Sequence, residues 1–125
     1  MDPKEVSLLI IDDEDLVRIN LADFFEDEGL IVAFASSGEE GLQMIGETFF
    51  HLAIVDMRLP GIDGNTFVIE AHKIQPAMKY LIHTGSADYT LPKELESIGL
   101  SRSSVFYKPV VDMNSMRDSI LDQLQ

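Results

Sequence analysis

Val6-Ser7-Leu8-Leu9-Ile10-Ile11-Asp12-Asp13-Glu14-Asp15 is the stretch that decides the fold. Residues 6–11 are apolar apart from Ser7 and lack the alternation of a sheet with one wet face, so the segment reads as a strand covered on both sides. Such cover comes from helices on both faces of a parallel sheet. The run stops at consecutive acids and a helical period takes over. Val17, Leu21, Phe24 and Phe25 recur on one face, and Gly29 stands where a helix ends in the left-handed conformation.

Outward from there, the pairing of a short apolar run with a longer amphipathic segment recurs to give five pairs in all. Further strands are predicted at 30–35, 52–55, 78–83 and 105–107. Ser37-Gly38-Glu39-Glu40 has capping-box spacing and opens a helix that buries Leu42, Ile45 and Phe49. The loop Leu59-Pro60-Gly61-Ile62-Asp63-Gly64 is rich in turn formers, with Asp63-Gly64 read as a turn. It leads to a helix carrying Phe67, Val68, Ala71 and Ile74, which Pro76 ends. A short helix begins near Pro92 and closes at Ile98 or Gly99, and a final one carries Met113, Met116, Ile120 and Leu124 on one stripe. The expectation is one α/β domain over residues 1–125, without repeat, linker or effector segment.

At 125 residues and 46% hydrophobic, the chain can bury one core unaided. It has no cysteine, which excludes a disulfide framework, a thiolate zinc site and a cysteine nucleophile. With 22 acidic residues against 9 basic ones, the net charge of −13 repels nucleic-acid phosphates and anionic lipid. Met1-Asp2-Pro3-Lys4-Glu5 lacks the form of a secretory leader and no apolar run is of membrane-spanning length, so a cytoplasmic protein is expected.

The polar residues at the strand ends form a pattern. Asp12 and Asp13 follow the first strand, Asp56 the third, Thr84 the fourth and Lys108 the fifth. In an open parallel sheet the carboxyl ends share one rim, where ligands bind. Carboxylates gathered there repel one another, and a hard divalent cation relieves the conflict. Oxygen-only donors fit Mg²⁺ best and Ca²⁺ less well, and His51, His72 and His83 have no spacing that joins the cluster. Metal, carboxylates and a lysine suit phosphoryl transfer to an aspartate. Asp56 stands alone and is assigned as nucleophile, Asp12 and Asp13 hold the metal, and Lys108 and the Thr84 hydroxyl address phosphoryl oxygens.

Plainer readings hold elsewhere. Glu14 and Asp15 fit a helix N-terminus, where acids are favoured. His83 reads as a strand histidine packed beneath a helix, and Met113 and Met116 as core or interface filler on the last helix. The Arg58 side chain either touches a bound phosphoryl group or points into water.

Asp12-Asp13, the segment Asp56-Met57-Arg58-Leu59-Pro60-Gly61-Ile62-Asp63-Gly64, Thr84-Gly85 and Lys108-Pro109, in this order, resemble the signature of response-regulator receiver domains of two-component signalling. The resemblance covers essentially the whole chain. It implies a flavodoxin-like, doubly wound sheet of five parallel strands in order 2-1-3-4-5 with five helices. It implies Asp56 as phosphoacceptor, Mg²⁺ held by Asp13, Asp56 and the Arg58 carbonyl, with Asp12 assisting through water. The donor is then a histidine kinase or phosphotransfer protein. The face built from helix four, strand five and helix five becomes the output surface toward an unknown downstream protein and, separately, the contact expected of a homodimer, and Lys108-Pro109 is often cis. One departure concerns output. Val105 stands where the family usually carries Tyr or Phe, and the stretch 89–104 is unlike the usual fourth helix.

Other classes fit less well. A haloacid-dehalogenase-type phosphatase or phosphotransferase places an acid two residues after its nucleophile, where this chain has Arg58. The reading is thus a self-phosphorylating signalling domain and not a turnover enzyme. A nucleotide or flavin module needs a glycine-rich loop after the first strand, where acids stand instead. A domain that is never phosphorylated would have no use for the intact acids and Lys108.

Overall fold

The computed structural model describes Asp2 and residues 5–125; Met1, Pro3 and Lys4, on which part of the leader reading falls, lie outside the described residues. In chain order the elements are β1 (Ser7–Ile11), α1 (Asp15–Asp27), β2 (Ile31–Ala35), α2 (Gly38–Glu47), β3 (Leu52–Val55), α3 (Gly64–Ile74), β4 (Lys79–Thr84), α4 (Lys93–Ile98), β5 (Val105–Tyr107) and α5 (Met113–Gln123). The strands form one parallel sheet in the order β2-β1-β3-β4-β5.

The apolar run of residues 8–11 is explained by two cores, one on each face of the sheet. Leu8 and Ile10 of β1, Leu52 and Ile54 of β3 and Leu81 of β4 pack with Leu21, Phe25, Met116 and Ile120 of α1 and α5. Their alternates Leu9, Ile11, Ala53, Val55, Tyr80 and Ile82 pack with Ile45, Phe67, Val68, Ala71 and Leu95 of α2, α3 and α4. Side chains that alternate between two buried faces keep the middle of β1 and all of β3 apolar, and leave polar residues to the strand ends, as at Ser7, Lys79, His83 and Thr84.

Helix ends follow local chemistry. After α1, Gly29 has φ 93°, its N–H reaches the Glu26 carbonyl and the Leu30 N–H reaches Phe25, the paired bonds of a Schellman motif. Asp63 caps α3 by accepting the Thr66 N–H at 2.8 Å, so the expected Asp63-Gly64 turn is a helix start. Ser37 caps α2 by accepting the Glu40 N–H, whereas the Glu40 carboxylate takes the N–H of Ser36 and not that of Ser37.

The stripe expected on α2 is corrected at its end. Phe49 lies beyond the helix and is 57% exposed, while Phe50 enters the core. Gln75 braces this end: its amide donates to the Ile45 and Thr48 carbonyls at 2.8 and 2.7 Å, and its oxygen accepts the Phe50 N–H at 3.2 Å. Ile74 is also exposed, because the buried face of α3 ends at Ala71.

Candidate functional site

Parallel register brings the strand ends together. Ile11 and Val55 are partners across β1 and β3, and the Asp56 N–H donates to the Ile11 carbonyl at 2.9 Å, so Asp12 and Asp56 leave the sheet side by side. β1 is also the strand from which the order runs both ways, which places this crevice at the topological switch point. Thr84 ends β4 opposite Tyr107, and its carbonyl accepts the Lys108 N–H at 2.7 Å. The Lys108-Pro109 peptide is cis.

Asp12 and Asp56 are buried, and Asp13 and Glu14 are exposed. One carboxylate oxygen from each of these four residues lies within 4.8 Å of the others. The Lys108 Nζ donates to Asp12 Oδ2 at 2.9 Å and lies 3.4 Å from Glu14 Oε1 and 3.6 Å from Asp56 Oδ2. Backbone groups hold the acids in place. The Glu14 N–H donates to Asp12 Oδ1 at 2.9 Å, and the Arg58 N–H to Asp56 Oδ1 at 3.2 Å.

Burial, then the neighbouring Asp12, lifts the Asp56 carboxyl above the ordinary range against the opposing pull of Lys108 and the Arg58 N–H. Burial works against the Lys108 ammonium, but its hydrogen bond to Asp12 and the charges of Asp12, Asp56 and Glu14 carry it upward. Four carboxylates around one ammonium leave the site short of positive charge, and oxygen donors alone suit a hard divalent cation. The residues present therefore fit such an ion.

The structure thus gathers Asp12, Asp13, Asp56 and Lys108, with the Arg58 backbone beside Asp56. The Thr84 hydroxyl, fully buried, is engaged locally and accepts the Ser86 N–H at 3.1 Å. The Arg58 side chain donates to Ser86 Oγ at 3.3 Å, which in turn donates to Asp88 at 2.8 Å. Glu14, read as a plain helix start, joins the cluster; it precedes α1 without a side-chain cap bond and turns its carboxylate toward Lys108 instead. Its only sequence signal was adjacency to Asp12-Asp13. His83 is buried in the sheet, in contact with the groove between α1 and α5, and burial first and Lys108 second push it down to about 4.

Beside β5 the small Val105 side chain lines a groove of about 350 Å³ with Tyr89, Thr90, Leu91, Arg102 and Tyr107. The Tyr107 hydroxyl donates to the Tyr89 carbonyl at 3.0 Å, and the Tyr89 hydroxyl to Asn65 Oδ1 at 2.9 Å.

The family model of the response regulator receiver domain matches residues 8–120. The chain belongs to this family. Among its relatives, sporulation initiation phosphotransferase F of Bacillus subtilis is 27% identical over 113 residues, covering 90% of this chain and 89% of that protein. The transcriptional regulatory protein GlrR of Escherichia coli K12 is 31% identical over 125 residues, but these are 28% of its length. The receiver chain spans little more than a quarter of the first curated relatives it matches. A solved receiver domain protein from Clostridium thermocellum aligns with TM-score 0.80 at 29% identity, covering 95% of this chain and 94% of that one. This receiver is accordingly a signalling domain of the two-component class, and among its described residues no helix is long and apolar enough to cross a membrane.

Proposed function

We propose that this receiver accepts a phosphoryl group on Asp56 from a histidine kinase or phosphotransfer protein in the cytoplasm, with Mg²⁺ as cofactor, and thereby switches partner contacts. The observation that carries the proposal is the meeting of Asp12, Asp13 and Asp56 with the Lys108 ammonium at the switch point of the sheet. An Asp56 carboxylate oxygen bonds to phosphorus as the bond from phosphorus to the donor's leaving group breaks, and the leaving group keeps that electron pair. Lys108 balances charge on the phosphoryl oxygens, and the Thr84 hydroxyl, released from the Ser86 N–H, donates to one of them. Asp13, Asp56 and the Arg58 carbonyl would hold the ion, with Asp12 assisting through water. When bound, Mg²⁺ supplies positive charge that relieves the carboxylate repulsion and screens the incoming phosphoryl group.

The net charge of −13 argues against direct nucleic-acid contact, so output goes to a protein. The face of α4, β5 and α5 is the proposed output and homodimer surface. Incubation with acetyl phosphate and Mg²⁺, followed by intact-mass and peptide mass spectrometry, tests the assignment. One phosphoryl group per chain on Asp56 is expected, lost in Asp56→Asn. Stoichiometric labelling of that variant, or rapid turnover of excess donor, would sink it.

A further inference from the structure

The seven residues between Asp56 and α3 form a loop that the first turn of α2 holds from outside the site. Glu39 extends its carboxylate across 23 residues of sequence and accepts the Ile62 N–H on Oε2 at 3.3 Å. At the adjacent Gly61, φ is +74°, and a Cβ there would lie 2.1 Å from the same Glu39 oxygen, so the carboxylate rests directly on the turn. Gly38, one residue before Glu39, is equally tight, since a Cβ on it would come within 2.6 Å of the Ile62 side chain. At the end of the loop, the Gly64 N–H donates to the Met57 carbonyl at 3.2 Å. The ends of the loop are therefore pinned within its own strand-to-helix connection, and its middle is pinned by Glu39.

The consequence reaches the acidic rim. Arg58, whose N–H holds Asp56 Oδ1, lies in the loop between the Asp56 strand end and the Gly61-Ile62 turn. We infer that Glu39 is a positioning residue: its seat on the Gly61-Ile62 backbone fixes the loop and keeps the Arg58 backbone in register with Asp56 for metal and phosphoryl binding. This rests on the proposed role of the rim, but the clamp is measurable without metal. A carboxylate outside the site holds the loop without adding a fifth acid to the cluster, and its acceptor role survives in a neutral amide.

The experiment compares wild type with Glu39→Ala, Glu39→Gln and Ser37→Ala. Ser37→Ala removes the α2 cap at Glu40 without touching the loop, so it reports what fraying of α2 alone does. In metal-free protein, amide hydrogen exchange at Arg58 and Ile62 should speed up in Glu39→Ala, stay near wild type in Glu39→Gln and stay near wild type in Ser37→Ala. In a Mg²⁺ titration followed by NMR, Glu39→Ala should weaken affinity roughly three- to tenfold, the scale of one hydrogen bond, with substantial rescue in Glu39→Gln. Unchanged exchange in Glu39→Ala, or equal effects of Glu39→Ala and Ser37→Ala, would overturn the inference. A wild type that binds no Mg²⁺ while Glu39→Ala still loosens the loop would instead count against the site assignment and leave the clamp standing.

Discussion

At Lys108 one ammonium group faces three carboxylates, at 2.9, 3.4 and 3.6 Å. It occupies the site as a counter-charge that a divalent ion would also supply. Lys108→Ala should therefore bind Mg²⁺ at least as tightly as wild type yet label poorly with acetyl phosphate, because the ammonium that balances the charge on the phosphoryl oxygens is gone. Isothermal titration beside the labelling assay checks both halves, and undiminished labelling would remove Lys108 from the chemistry. His83 governs a separate property. An unfolded imidazole takes up a proton as the pH falls through 6.5, while the folded one stays neutral down to about 4. Across that window the unfolded chain binds more protons, so stability declines as the pH falls, by about 3 kcal/mol at most. His83→Leu should flatten the slope of urea-unfolding free energy between pH 6.5 and 4, and an unchanged slope would assign it to other groups. Asp12, Asp56 and Lys108 were legible in the sequence because each directly follows an apolar run. Glu14 was not, since a helix start and a site acid look alike until the fold shows where the side chain turns.

Among the elements, boundaries set by local chemistry were readable and those set by distant partners were not. Gly29 and Pro76 end α1 and α3 as expected from their own backbone limits. The end of α2 is braced by Gln75, 27 residues beyond Thr48, and no periodicity in the helix signals that partner. The start of α3 is the tightest junction near the rim. A Cβ on Gly64 would lie 2.4 Å from the Asp56 carbonyl oxygen and 2.4 Å from the Met57 side chain. Gly64→Ala should thus cost about 1–3 kcal/mol by overpacking and displace Asp56 enough to slow labelling. Urea unfolding and the labelling rate measure the two effects. A variant of wild-type stability would show that α3 can shift freely against β3.

For the whole molecule, the α/β class followed from alternating patterns, whereas the strand order came from resemblance, because nothing in a uniformly apolar strand names its neighbour. Cation binding at the acidic rim, as proposed, should be coupled to global stability. At about one hundred times its Kd, Mg²⁺ should add about 2.7 kcal/mol to the unfolding free energy of wild type and little to that of Asp13→Ala. Equal gains in both would point to an ion bound elsewhere. The same rim has a consequence in time. Its acids leave β1 and β3, but the ammonium that reaches Asp12 arrives 96 residues later, from the last strand. During synthesis Asp12 and Asp56 emerge well before Lys108, so a nascent chain carries its anionic half-site without the lysine that completes it. On the proposed reading of Asp56, competence to take a phosphoryl group would arrive only once β5 has docked and brought Lys108 to the rim.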